Sequence, residues 1–294
     1  VVVHLHGYIP ISYTATILAP YEEHKRRIIR EDIVLECLKG PKYCVGANLL
    51  WWLPRLARRW ILQADRIVCV SRRQAEIVLD RIPELKNKIE VVYNPLPSEL
   101  VNAKPVKELE DTPTFLYVGG DSYVKGFPIL LQALKELGKQ GVKARFILTG
   151  TYNPSSIKLL KRLSETCKLE IQVMGRVKYR DIIELHKQVW TLVFPSILEE
   201  TFGYAVLEAA LLGTIPIASR VGGVVEILDN TTASTFMFMP CKVDELIKKV
   251  EYVYSLSTSE VKILGYRLRE EVLKRFNPIK LEKEVLRVFV DVIE

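Results

Sequence analysis

Residues 193–226 constrain the fold more than any other stretch. They read VFPSILEETFGYAVLEAALLGTIPIASRVGGVVE. An apolar strand ending at Phe194 breaks at Pro195-Ser196, and a short loop follows with two adjacent carboxylates, Glu199 and Glu200. The pattern predicts a helix that opens near Gly203 and stops at Gly213, where a left-handed cap suits glycine. A second strand over 215–218 leads to the pair Gly222-Gly223 and a third carboxylate, Glu226. Strand, helix, strand at this spacing means a parallel sheet unit.

The helix is apolar on every side, and Glu208 is its one charge. A helix of that kind is buried, and an ionised carboxylate on it costs several kcal/mol unless donors reach it. Glu208 therefore belongs near the helix start, at the mouth of a crevice, where paired sugar hydroxyls can donate to it. The amides at Phe202-Gly203 lie at the positive end of the helix dipole and suit a phosphate. Ribose and phosphate contacts side by side mean a nucleotide. The competing reading is a glutamate reaching solvent from a packed helix.

The order Pro195-Ser196, Glu200-Thr201-Phe202-Gly203, Glu208, Gly213, Pro216, Gly222-Gly223, Glu226 resembles the donor-site signature of retaining glycosyltransferases of family 4. These are group 1 glycosyl transferases with the GT-B fold. The resemblance implies an α/β protein with two Rossmann-like doubly wound domains facing a cleft. It implies transfer of a hexosyl group from a nucleoside diphosphate sugar to a glycan or lipid-linked acceptor. Glu200 matches the family's first glutamate, near the reacting centre, and Glu199 is taken to face the donor sugar beside it or to be solvated. Thr201, Phe202 and Gly203 line the donor phosphates, and Gly222, Gly223 and Glu226 form or support a phosphate-binding turn.

Earlier in the chain, 1–5 reads as a buried strand ending at His6-Gly7. By its residues alone His6 caps a loop or serves as an acid, base or phosphate donor. The resemblance favours the second role, because the family has a His-x-His step whose second histidine lies near the reacting sugar. Helical periodicity runs over 11–39. A helix over 48–65, LLWWLPRLARRWILQAD from Leu49, starts or kinks at Pro54 and carries Trp51, Trp52 and Trp60 among Arg55, Arg58 and Arg59. It is read as a core helix with a basic outer edge in preference to a membrane-surface helix, with peripheral membrane contact left open. Three strands precede residue 100, against about six in a full Rossmann-type half. We therefore expect the first domain, residues 1–100, to lack its first strands.

Prolines 95, 97, 105 and 113 interrupt a linker, with the boundary placed at 101–114. From residue 115 strands over 115–118, 145–149, 170–173, 191–194 and 215–218 alternate with helices near 128–139, 154–166, 179–187, 203–212 and 223–228. These form a donor-binding domain over 115–275. A terminal helix over 276–294 is expected to cross back to the first domain. The first of these strands ends in Gly119-Gly120-Asp121, followed by Lys125-Gly126. Glycines admit a ligand to the backbone and Lys125 reaches a diphosphate. The family usually has an arginine after the first glycine, so Gly120 removes one cation from the leaving group. Arg176 and Val177, at the turn after the third strand, are taken to border the base or phosphate; a surface arginine is the other reading of Arg176.

Charge and composition narrow the rest. The net charge of +7 fits anionic partners. Nucleic acid would rest on charge alone, so none is expected. No Asp-x-Asp pair follows a strand, so neither metal nor cofactor is expected. A dehydrogenase is disfavoured for want of Gly-x-Gly-x-x-Gly after a strand. The 5 cysteines are read as reduced and the protein as cytoplasmic, at the inner membrane surface if membrane contact occurs. The rival readings are a non-catalytic relative that binds nucleotide sugar, and a sugar-nucleotide epimerase of the same fold.

Overall fold

The computed structural model describes residues 1–103 and 105–293. Two parallel sheets are built in succession. The first has the order β1 (Val2–Leu5), β2 (Arg66–Cys69), β3 (Ile89–Val91). Between β1 and β2 lie four helices, α1 (Tyr21–His24), α2 (Ile28–Cys37), α3 (Pro41–Leu50) and α4 (Leu53–Ile61). Helix α5 (Arg72–Arg81) joins β2 to β3, and Ser71 caps it by accepting from the Gln74 amide at 3.1 Å. The short α6 (Ser98–Asn102) follows.

The second sheet holds β4 (Thr114–Tyr117), β5 (Arg145–Thr149), β6 (Glu170–Gly175), β7 (Thr191–Phe194), β8 (Ile215–Ser219) and β9 (Met237–Phe238). Its helices are α7 (Phe127–Lys139), α8 (Pro154–Thr166), α9 (Tyr179–Gln188), α10 (Tyr204–Leu211) and α11 (Gly222–Leu228). Then come α12 (Val243–Tyr254), α13 (Thr258–Arg275) and α14 (Pro278–Ile293). The sheet order is β6-β5-β4-β7-β8-β9, all parallel. Strand order reverses between β4 and β7. The carboxyl ends of these two strands mark the switch point, the place where ligands bind in such sheets. Strands β4, β7 and β8 are buried along their whole length, which is why they read as unbroken apolar runs.

The first domain departs from the sequence reading in four ways. Helix does not run from residue 11. Residues 8–19 turn instead, held by Asp32, which accepts from the Ser12 hydroxyl at 2.7 Å, the Tyr13 amide at 2.8 Å and the Thr14 hydroxyl at 2.6 Å. Buried hydroxyl and amide donors compete here with the helical ladder and win. The Trp-rich stretch is two helices, α3 and α4, with Pro54 in the first turn of α4. It is not a core helix: α3 buries only Ala47 and α4 only Ile61, while Trp60 is 69% exposed. Finally, Cys37 and Cys44 form a disulfide, against the reduced reading, because the turn at Gly40-Pro41 folds α3 back on α2. Cys69, Cys167 and Cys241 are free.

Several contacts fix one domain on the other. Ala19 donates to the Ile197 carbonyl and Glu199 to the Ile17 carbonyl, each at 2.8 Å, around the antiparallel bridge Leu18–Leu198. Helix α14 packs on the first sheet, where Val288 is buried with Val68 and Val92. In the segment before β4, buried Lys107 donates to the Val189 carbonyl at 2.7 Å, the Thr214 hydroxyl at 2.8 Å and the His186 carbonyl. Burial pulls its amine down to about 7. Burial, and then the neighbouring Lys107, pushes His186 down to about 3.

The unfolded chain keeps the Lys107 amine protonated up to its ordinary value of 10.5. Between those values unfolding takes up a proton, so this group makes stability rise with pH. Urea unfolding midpoints measured at about pH 7 and about pH 9.5 should rise for the native protein relative to Lys107→Met, which lacks the titrating amine.

Candidate functional site

Two loops meet at the crevice where strand order reverses. After β4 the chain turns through Gly119 and Gly120 to Lys125 and Gly126. After β7 it runs from Pro195 to Gly203. The two are packed so closely that a Cβ on Gly126, at φ +78°, would lie 1.8 Å from the Pro195 carbonyl oxygen. Across this seam the Lys125 ammonium donates to Glu200 Oε1 at 2.8 Å, and the Ser196 hydroxyl donates to the same oxygen at 2.7 Å. Glu200 also offers its main-chain carbonyl to the Gly223 amide at 2.8 Å. Gly222, at φ +48°, lies against Glu200, where a Cβ would come within 1.9 Å of that carbonyl oxygen. The glycine pair is thus a packing surface for the loop that presents Glu200.

Helix α10 starts at this seam, with Gly203 as its left-handed N-cap at φ 100°. Among the described residues no acceptor takes the amides of Phe202 or Gly203. The Phe202 ring is fully buried, beside Tyr93 and edge-on to Phe276, and so anchors the helix start. Glu208 lies one turn in, partly buried, and accepts from the Tyr179 hydroxyl at 3.1 Å. Burial raises its carboxyl above the ordinary value, and the Tyr179 bond offsets part of the rise. Tyr179 opens α9, directly after the turn that holds Arg176 and Val177. Sequence reasoning missed it, since nothing local marks a tyrosine that meets its carboxylate 29 residues away. Arg176 is exposed and donates through Nε to the Thr151 hydroxyl at 2.8 Å. Thr151 sits against Gly120, whose Cβ would lie 2.6 Å from the Thr151 carbonyl. Arg176 therefore stands at the glycine turn that lacks its expected cation. Asp121 in that turn accepts from the Asn153 amide at 2.7 Å.

His6 ends β1 on the facing domain. Its carbonyl lies 3.4 Å from the Thr201 hydroxyl, next to Glu200, and its exposed ring is 4.4 Å from that of His4. The His6 main chain thus meets Thr201 beside the Lys125–Glu200 pair, while Glu208, Tyr179 and the α10 amides lie along the adjoining helix.

Glu199 and Glu226 do other work. Glu199 does not face open space. It is 4% exposed and accepts from the Tyr21 amide at 2.8 Å, the Gly222 amide at 3.0 Å and the Arg73 guanidinium at 3.1 Å. Four such donor bonds, with a second one from Arg73, offset the burial of its charge. Glu226 is engaged across the domain contact. It caps α5 of the other domain, accepting from the Arg72 amide at 3.1 Å and the Arg73 amide at 2.9 Å, and takes the Tyr93 hydroxyl at 2.7 Å. Among the described residues no three of His, Cys, Asp or Glu gather as a metal site would need.

The family model described as glycosyl transferases group 1 matches residues 101–270, more than half of the chain. The chain belongs to that family. Its fold is GT-B. A glycosyltransferase from Rickettsia africae superposes with a TM-score of 0.66 at 20% identity, over 80% of this chain and 65% of that one. Anabaena HepE in complex with UDP and glucose superposes with a TM-score of 0.65 at 17% identity, over 98% and 71%. Among curated relatives, the phosphatidylinositol N-acetylglucosaminyltransferase gpi3 subunit of Schizosaccharomyces pombe is 27% identical over 60% of this chain. The D-rhamnosyltransferase WbpZ of Pseudomonas aeruginosa is 29% identical over 57%. The chain spans 38% and 44% of the lengths of those two relatives.

The raised Glu208 carboxyl has a consequence for the free protein. The folded state holds that proton to a higher pH than the unfolded chain, so folding is weakened as pH rises through this window toward neutrality. Glu208→Gln should melt at a higher temperature than the native protein at neutral pH. The difference should shrink as pH falls below the ordinary carboxylate value, as followed by circular dichroism.

Proposed function

We propose that this group 1 glycosyl transferase moves a hexosyl unit from a nucleoside diphosphate sugar to a glycan or lipid-linked acceptor, with retention at the anomeric carbon and without a metal. The observation that carries the reading is the adjacency of three features. These are an ion-paired lysine at the glycine turn, an unspent helix start, and a half-buried carboxylate one turn along it. Each suits one part of the donor. The Glu208 carboxylate takes the paired ribose hydroxyls in place of the Tyr179 hydroxyl. The α10 amides and Lys125 meet the diphosphate. Arg176, held at the glycine turn by Thr151, supplies the cation that Gly120 does not, and Val177 borders the base.

In the reaction the bond from the anomeric carbon to the diphosphate oxygen breaks and its electron pair stays on that oxygen. Lys125, the amides and Arg176 neutralise the charge as it develops, where preorganised donors act most strongly. Glu200 and His6 flank the sugar. The acceptor hydroxyl forms the new bond on the face the diphosphate leaves and gives up its proton to the departing oxygen. The family membership and the complex of Anabaena HepE with UDP and glucose support a nucleotide-sugar donor. The relatives named for phosphatidylinositol support a lipid-linked acceptor.

One observation favours a second reading, a relative that binds nucleotide sugar without transfer. The turn after β4 carries Gly120 and Asp121 where the family has a cation.

Calorimetric titration with UDP, GDP and ADP should find one nucleotide that binds. Glu208→Ala should weaken it by at least about tenfold, the worth of a charged hydrogen bond in a cleft. Lys125→Ala should weaken the diphosphate and leave the nucleoside unchanged. Binding by none of the three sinks the donor-site reading. Binding without turnover of the matching sugar nucleotide selects the second reading.

A further inference from the structure

The stretch from Cys37 to Ala64 contains no acidic residue, five basic residues and three tryptophans. It forms the end of α2 and the two helices α3 and α4. A surface helix of a soluble domain normally shows a polar face to water. Here the outward side chains include Leu38 at 66% exposure, Val45 at 60%, Leu49 at 67% and Trp60 at 69%, with Trp51, Trp52 and Leu53, interspersed with exposed Lys39, Lys42, Arg55 and Arg59. The Cys37–Cys44 disulfide fastens α3 to α2, so this face is held as one unit.

Charge says what covers it. Arg55 stacks over the Trp51 ring at 4.5 Å. Below the two lies a cavity of about 230 Å³ bordered by Trp51, Arg55, Arg58 and Arg81. Arg58 pairs with Glu84, but among the described residues neither Arg55 nor Arg81 has a carboxylate partner. Two acids also border the cavity, and both are already spent. Asp32 is held by Ser12, Tyr13 and Thr14, and Asp80 by Lys25 and Tyr21. An acid-free apolar surface with tryptophans at its edge and arginines around a hollow matches a bilayer interface. There indole rings settle at headgroup depth, alkyl side chains enter the acyl boundary, and arginines meet lipid phosphates. Among the described residues no helix is long and apolar enough to cross a membrane. The arrangement is that of a face lying on one.

We propose that α3 and α4 form a docking face for a membrane carrying anionic lipids. Trp52, Trp60 and Leu49 enter the interface. Arg55 and Arg81 take a headgroup phosphate in the cavity beneath Trp51. This reading does not rest on the nucleotide-sugar proposal.

The test is sedimentation of the 294-residue chain with phosphatidylglycerol vesicles and with phosphatidylcholine vesicles, in buffer without nucleotide. Binding should be confined to the anionic vesicles and fall with added salt. Each charge change, Arg55→Gln or Arg81→Gln, should weaken it about fivefold, the worth of one basic residue at such a surface. The double variant Trp60→Ser, Leu49→Ser should weaken it further, while its melting temperature stays that of the native chain, since both side chains are exposed. No binding to either vesicle overturns the proposal, as does binding that these variants leave unchanged. A concentration-dependent dimer that Trp60→Ser dissociates also overturns it, by giving the face to a second copy. Because no nucleotide is present, any of these failures leaves the donor-site reading standing.

Discussion

Glu199 and Glu226 reach from the second domain to the start of α5 in the first, and the fit of the two domains depends on that reach. Glu226 takes two amides that a helix start cannot satisfy within itself. Glu199 takes the Arg73 side chain from the same turn and, on its other side, the Gly222 amide. One short segment of backbone, 199–226, therefore carries the domain contact at its ends and the ligand wall at its middle. Gly222 and Gly223 are small because the loop presenting Glu200 rests directly on them. The contacts between the domains and the packing that holds the Glu200 loop are thus parts of one continuous segment.

This explains an otherwise costly feature. A carboxylate buried without donors costs several kcal/mol, yet Glu199 is among the most enclosed acids of the chain. Its donors come from both domains, so the cost is offset only when the domains are together. Tyr93 adds to the seam by joining the Glu226 carboxylate on one side and the Phe202 and Phe276 rings on the other.

Much of the second domain was legible in the sequence, and the reason is burial. A parallel sheet covered on both faces leaves strands with no polar alternation, so β5 and β7 were placed to the residue. The first domain was less legible. Its helices α3 and α4 leave tryptophan and leucine side chains exposed, and a rule that assigns those residues to the interior misplaces them. Parity and spacing told nothing of Cys37 and Cys44, since only the fold of the Gly40-Pro41 turn brings them together. Around the candidate site, the local pattern singled out Glu200, Glu208 and Lys125, and the structure pairs Lys125 with Glu200 and sets Glu208 against Tyr179. The roles of Glu199 and Glu226 could not be read that way, because their partners at Tyr21, Arg73 and Tyr93 lie more than 100 residues away.

Lys125 rests on Glu200 at 2.8 Å, with Ser196 bonded to the same oxygen. The cleft therefore carries its own competitor. An anion that enters must exchange partners with a carboxylate already in place, and a single weak charge gains little by doing so. The diphosphate proposed as ligand would bring several oxygens, and the amides at the start of α10 would be placed to receive those the lysine does not. Lys125 and Glu200 thus neutralise one another, and on the proposed reading a multiply charged anion would exchange with that pair more readily than a monovalent one. Under the proposed reaction, the same exchange would free the Glu200 carboxylate from Lys125.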